Sequence, residues 1–173
     1  TVVAVAPDDA YAQRIRDAGI AFEAVPISGG GTHPVRELQS VQRLGAVFRR
    51  HRVGLVLSYT PKGNLYSALA CIALRIPFVP NVSGLGRAFI RTSLVTRVAK
   101  TLYRLTFGRA HRVFFQNLDD MAVFVDTGLV RASQAERLPG SGVDLSRFSP
   151  TMPIARAAEA PVFLLVARML WDK

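Results

Sequence analysis

Three residues inside SYTPKGN, at 58–64, are spaced for ligand recognition. Thr60, Lys62 and Asn64 offer a hydroxyl, a cation and an amide. They follow the apolar run VGLVLSY, 53–59, which reads as a strand buried on both faces, and precede a helical stretch from about Leu65 to Leu74. Such groups at a strand end suit a sugar hydroxyl or a phosphate, because a helix N-terminus behind them adds partial positive charge. The plainer alternative is an ordinary turn with Asn64 as helix cap. A second loop, NVSGLG, comes after the next apolar run and places Asn81, Gly84, Leu85 and Gly86 at its end. Its glycines let backbone amides approach a ligand closely, and Asn81 both donates and accepts hydrogen bonds. Asn81 also opens an N-x-S sequon with Ser83, which without evidence of secretion is read as coincidence. Farther on, Arg97, Lys100 and Arg104 recur on one face of a helical pattern from about Ser93 to Phe107, with Leu94, Val98, Leu102 and Leu105 on another. A basic amphipathic helix of this kind lies on an anionic bilayer or forms an ordinary surface helix of a basic protein.

The charge distribution sharpens these candidates. The chain of 173 residues carries 22 Lys and Arg against 12 Asp and Glu, a net charge of +10. From Leu38 to Leu118 there is no acid at all, yet that stretch holds thirteen Arg and Lys. So one-sided a region is expected to draw anions, with nucleic acid, phosphorylated small molecules and an anionic membrane surface as candidates, and the plainer alternative is a generally basic, soluble surface.

Other chemistries have no residues to carry them. There is no GxxxxGK[ST] loop, no HExxH, no CxxC and no GxSxG. The three histidines, His33, His51 and His111, lack ligand spacing, and His51 and His111 beside arginines read as surface residues. The single cysteine, Cys71, lies in an apolar run and reads as a buried structural thiol. GGG at 29–31 is open between a lid and linker slack. No apolar run is long enough to be expected to cross a membrane, and TVVAVAPDDA does not read as a signal peptide.

The elements that must position these loops alternate. Apolar runs at 2–6, 20–27, 53–59, 76–82 and 112–117 are separated by helical patterns, among them Pro34 to Arg50 with apolar residues at helical spacing. Alternating strands and helices predict an α/β fold, a Rossmann-like parallel sheet with helices on both faces. In such sheets ligands sit at the carboxyl ends of the strands, where Thr60, Lys62, Asn64 and Asn81 fall.

Four stretches, VLSYTPKGNLYSALACIALRIPFVPNVSGLG, RVFFQNLDDMAVFVDTGLV, RLPGSGVDLSRFSP and FLLVARMLWDK, occur in the order seen in bacterial family 4 glycosyltransferases. The sequence most resembles the subgroup that extends undecaprenyl-diphosphate-linked sugars and builds exopolysaccharides. The resemblance implies the N-terminal half of a GT-B fold, incomplete at both ends, in which the N-terminal domain takes the acceptor and the C-terminal one the nucleotide-sugar. It implies an acceptor-side domain over 1–148, a linker over 149–161, and the first strand of the donor domain over 162–173. In the family motif matched by VARMLWDK, Arg168 and Lys173 grip the donor diphosphate. Fixed cations there would stabilise the leaving diphosphate without a metal. Thr60, Lys62, Asn64, Asn81, Gly84, Leu85 and Gly86 correspond to acceptor-side loops. Arg97, Lys100 and Arg104 would face the membrane.

The resemblance also implies a hexosyltransferase that retains anomeric configuration. It would move a sugar, expected to be UDP-linked, to a lipid-diphosphate-linked saccharide. It would be cytoplasmic, peripheral at the inner face of the plasma membrane, with no cofactor and no metal. The family's ExxxxxxxE glutamate has no counterpart in this sequence, no catalytic residue is assigned, and these 173 residues alone are expected to be inactive. Two rivals stay open: a basic nucleic-acid-binding module, for which no recognition motif is found, and a noncatalytic sugar- or anion-binding domain.

Overall fold

A computed structural model describes residues 1–27, 33–85, 94–140, 142–149 and 164. The GGG stretch at 29–31, Gly86, Arg168 and Lys173 lie outside the described residues. Two compact units divide the chain, Thr1–Pro139 and Gly140–Lys173.

In the first unit strands and helices alternate as the apolar runs dictate: β1 (Val3–Ala6), α1 (Ala12–Asp17), β2 (Ala21–Ala24), α2 (Pro34–Arg50), β3 (Val56–Tyr59), α3 (Pro61–Leu74), β4 (Phe78–Val82), α4 (Leu94–Phe107), β5 (Val113–Phe115), α5 (Leu118–Asp126) and β6 (Ala135–Arg137). Every ladder among the described residues is parallel. A helical crossover returns the chain to the same end of the sheet, so successive strands run the same way. The strands form two ladders, β1-β2 and β3-β4-β5-β6, so β3 pairs only with β4 among the described residues.

The burial of β3 corrects one expectation. The run through β3 reads as buried on both faces, but only Val56 and Ser58 are, whereas Leu55, Leu57 and Tyr59 stand 52%, 61% and 57% exposed. Successive side chains point to opposite faces, and only one face of β3 is covered by described elements. β4, paired on both sides, is buried along its whole length.

The core runs from Val25 through Leu44, Phe48 and Val56 to Phe78, Phe107, Val113 and Phe115. At its far end Tyr103, Phe107, Phe115 and Phe124 form an aromatic cluster, with centroids 4.8 to 6.0 Å apart and mostly edge-to-face. Each such pair contributes about 0.5–1.5 kcal/mol beyond its buried area. Cys71 is fully buried, as its apolar setting predicts, and burial pushes its thiol up to about 12. His51 is not a plain surface residue. Its Nε2 lies 2.6 Å from Glu23 Oε1, and Arg50 holds the other oxygen at 2.5 Å, which ties the end of α2 to β2.

In the second unit Gly140 and Gly142 have φ of +85° and +71°, conformations that favour glycine. Asp144 Oδ1 then accepts hydrogen bonds from the Ser146 hydroxyl at 2.6 Å and the Ser146 amide at 3.0 Å. GVDLS, 142–146, is therefore a turn that opens on a glycine backbone and is capped by an aspartate.

Candidate acceptor-side site

The site forms where β3 gives way to α3. Thr60 takes φ +67° and ψ 150°, a strained conformation for a side chain with a branched Cβ, at a cost of about 1–3 kcal/mol. Its Oγ1 caps α3 by accepting from the Gly63 amide at 3.4 Å, and its carbonyl accepts from the Asn64 amide at 2.8 Å. Pro61 occupies the first helical turn, where its missing N–H costs nothing. A Cβ at Gly63 would meet Thr60 Oγ1 at 3.0 Å, so a larger residue there would push on the capping hydroxyl. TPKGN is thus not a turn that precedes the helix; it is the helix's first turn, with Thr60 rather than Asn64 as its cap.

Asn64 points inward. It is 2% exposed, and its Nδ2 donates to the Asn81 carbonyl at 2.8 Å. Asn81 is 8% exposed and lies beside Tyr59 in the β3–β4 register. The structure therefore brings Thr60, Lys62, Asn64 and Asn81 to one strand end. The Oδ1 atoms of Asn64 and Asn81, together with Ser58 Oγ, are buried and have no hydrogen-bond partner among the described residues. Gly84 comes next, with open space where a Cβ would stand, and Leu85 turns back to pack on the core.

Lys62 has a partner that sequence reasoning missed. Its Nζ donates to Glu37 Oε1 at 2.7 Å, and the Tyr66 hydroxyl donates to Glu37 Oε2 at 2.5 Å. The Lys62 and Glu37 side chains are only 23% and 19% exposed. Burial pushes the Glu37 carboxyl up. The hydrogen bonds from Lys62 and Tyr66, with the charges of Lys62 and His33, outweigh burial and hold it below its usual value. Burial and then the same carboxylate push the Tyr66 phenol upward. The available signal was Glu37's position as the last acid before the acid-free stretch.

The basic helix α4 divides differently from its expected faces. Thr96, Tyr103, Thr106 and Phe107 are buried, while Val98 and Leu105 stand 59% and 58% exposed beside Arg97 and Arg104. Thr106 is tolerated inside because its hydroxyl donates to the Leu102 carbonyl at 2.7 Å. Lys100 is half-buried. Arg104 also donates to the Thr127 and Gly128 carbonyls at 3.1 and 3.4 Å, where its charge complements the end of α5. Among the described residues no helix is long and apolar enough to cross a membrane, and no cluster of His, Cys, Asp and Glu could hold a metal ion.

Parallel strands joined by helical crossovers define an α/β domain of the Rossmann-like class. Residues 1–141 match the family model described as the glycosyl transferase 4-like domain, and the chain belongs to that family. Over 99% of its length it is 27% identical to the N,N'-diacetylbacillosaminyl-diphospho-undecaprenol alpha-1,3-N-acetylgalactosaminyltransferase of Campylobacter jejuni, and it spans 50% of that relative. Among solved structures it resembles Anabaena Alr3699/HepE in complex with UDP-glucose, at 19% identity and TM-score 0.61, over 83% of this chain and 37% of that one. A glycosyltransferase from Rickettsia africae aligns with TM-score 0.60 at 13% identity, over 87% of this chain and 38% of that one. These structural likenesses show a shared α/β fold over the part of each structure that is covered.

Proposed function

We propose that the full-length protein is a retaining glycosyltransferase that moves a sugar from a UDP-linked donor to a lipid-diphosphate-linked saccharide. In this reading residues 1–148 form the acceptor side, and Arg168 and Lys173 hold the donor diphosphate without a metal. The observation that carries it is the match of nearly the whole chain to a transferase acting on an undecaprenol-diphosphate-linked sugar. The gathering of Thr60, Lys62, Asn64 and Asn81 at one strand end supports an acceptor site here. The exposed Arg97, Val98 and Leu105 of α4 support a peripheral seat on an anionic membrane face.

The test is a screen of the full-length protein with UDP-sugars and undecaprenyl-diphosphate-linked acceptors, with and without chelator. The expected result is chelator-insensitive transfer with the donor's anomeric configuration kept. Failure to transfer any sugar to any lipid-linked acceptor, or an inverted product, overturns the reading.

A further inference from the structure

The site's cation does not stand alone. Within a stretch of thirteen Lys and Arg and no acid, Lys62 reaches out to Glu37, on another helix, 25 positions earlier. We propose that Glu37 is a positioning residue of the acceptor-side site and sets its ligand preference, an inference that rests on the acceptor-side reading of the proposed function. One carboxylate oxygen fixes the Lys62 ammonium and the other fixes the Tyr66 hydroxyl, one helical turn farther along α3. The first turn of α3, with its strained Thr60 cap, is thereby braced against α2.

The consequence is chemical. A lysine whose charge is balanced by a carboxylate at 2.7 Å offers directed N–H donors but little net field for a phosphate. Beside it, Asn64 Oδ1 and Asn81 Oδ1 are buried acceptors without a partner among the described residues, and such atoms take hydrogen bonds from hydroxyls but none from an ionised phosphate. Of the two ligands that Thr60, Lys62 and Asn64 suit by type, the arrangement selects the neutral one. The strand end recognises hydroxyls of the acceptor saccharide, and the lipid diphosphate is held elsewhere.

The test uses the full-length protein and two independent readouts. The first is binding of inorganic pyrophosphate by calorimetry. Glu37→Gln leaves the lysine charge uncompensated, so it should tighten pyrophosphate binding or add a binding equivalent, and Lys62→Met in the same chain should remove that gain. Lys62→Met alone should leave wild-type pyrophosphate binding unchanged, an arm that remains if Glu37→Gln does not fold. The second readout is kinetic. Glu37→Gln should raise the acceptor KM about tenfold or more, as expected for loss of a charged hydrogen bond. It should leave kcat and donor KM unchanged, and Glu37→Asp should recover part of the loss. If Lys62→Met alone weakens pyrophosphate binding, the lysine charge was available and the inference is wrong. It is equally wrong if folded Glu37→Gln changes neither readout. The binding arm needs no transferase activity, so a protein that transfers no sugar yet gains pyrophosphate binding in Glu37→Gln refutes the function and keeps the charge balance.

Discussion

The Asn64 side-chain amide donates to the Asn81 carbonyl at 2.8 Å, and that bond joins the first turn of α3 to the end of β4. Both residues are buried, so the bond is shielded from water and its loss is not made good by solvent. Asn64→Leu should therefore lower stability by about 1–3 kcal/mol. Asn64→Asp should cost more at neutral pH, because a buried carboxylate would then face a carbonyl oxygen. Thermal melting of the three proteins checks the order, wild type above Leu above Asp. A Leu variant as stable as wild type would remove Asn64 from its structural role.

Acid should destabilise the fold through two glutamates. Hydrogen bonding from His51, opposed by burial and aided by Arg50, holds the Glu23 carboxyl below its usual value. Glu37 is likewise held low, because Lys62, Tyr66 and His33 together outweigh its burial. A carboxyl with a lowered folded-state pKa contributes stability above its unfolded value and loses it as pH falls through the folded one. Urea midpoints should thus be level near neutrality and fall as the pH drops through and below the usual carboxylate range. Glu23→Gln and Glu37→Gln should each start lower and show a shallower fall. A Glu37→Gln curve parallel to wild type on the acid side would contradict the assignment.

Arg75 ends α3 in the left-handed region at φ +58°, a conformation that disfavours a residue with a Cβ. Its backbone closes the helix properly, with the next amide, that of Ile76, bonded to the Cys71 carbonyl at 2.9 Å. Arg75→Gly should keep that closure and raise stability by about 1 kcal/mol, whereas Arg75→Val should lower it. Chemical denaturation reads both signs.

If α4 seats the protein on a membrane, its exposed edge should govern vesicle binding. Arg97→Glu and Leu105→Asn should each weaken binding to phosphatidylglycerol vesicles several-fold, since a basic residue near an anionic surface is worth about 1 kcal/mol. Raised salt should mimic the arginine change more than the leucine change. Vesicle flotation checks this, with random duplex DNA as a parallel ligand. Salt-sensitive binding to DNA without binding to vesicles would favour the nucleic-acid reading.

Local signals carried most of the fold. Pro34 and the spacing from Val35 to Phe48 place α2 at the bounds observed, and the alternation of apolar runs with helical patterns predicts the parallel pairing. α3 is harder, because Thr60 and Pro61 look like a turn. Only the backbone shows that they already belong to the helix, with Thr60 as its cap. α4 misleads because an apolar residue on a small domain need not be inside. Val98 and Leu105 face outward, while Thr106 is buried by satisfying its hydroxyl locally. In the candidate site, the residue types at 60, 62, 64 and 81 are legible, being near one another in sequence or in strand register. Glu37 and His51 are not, since their partners lie 25 and 28 positions away and no short pattern encodes a contact between elements.

The bare side of β3 has a practical consequence. Among the described residues it is a short strand with free backbone groups along one edge, flanked by exposed Leu55, Leu57 and Tyr59. Such an edge is a template on which another strand can grow. Produced as these residues alone, the chain should self-associate with rising concentration. Charged replacements at Leu55 and Leu57 would be the first remedy for keeping it in solution.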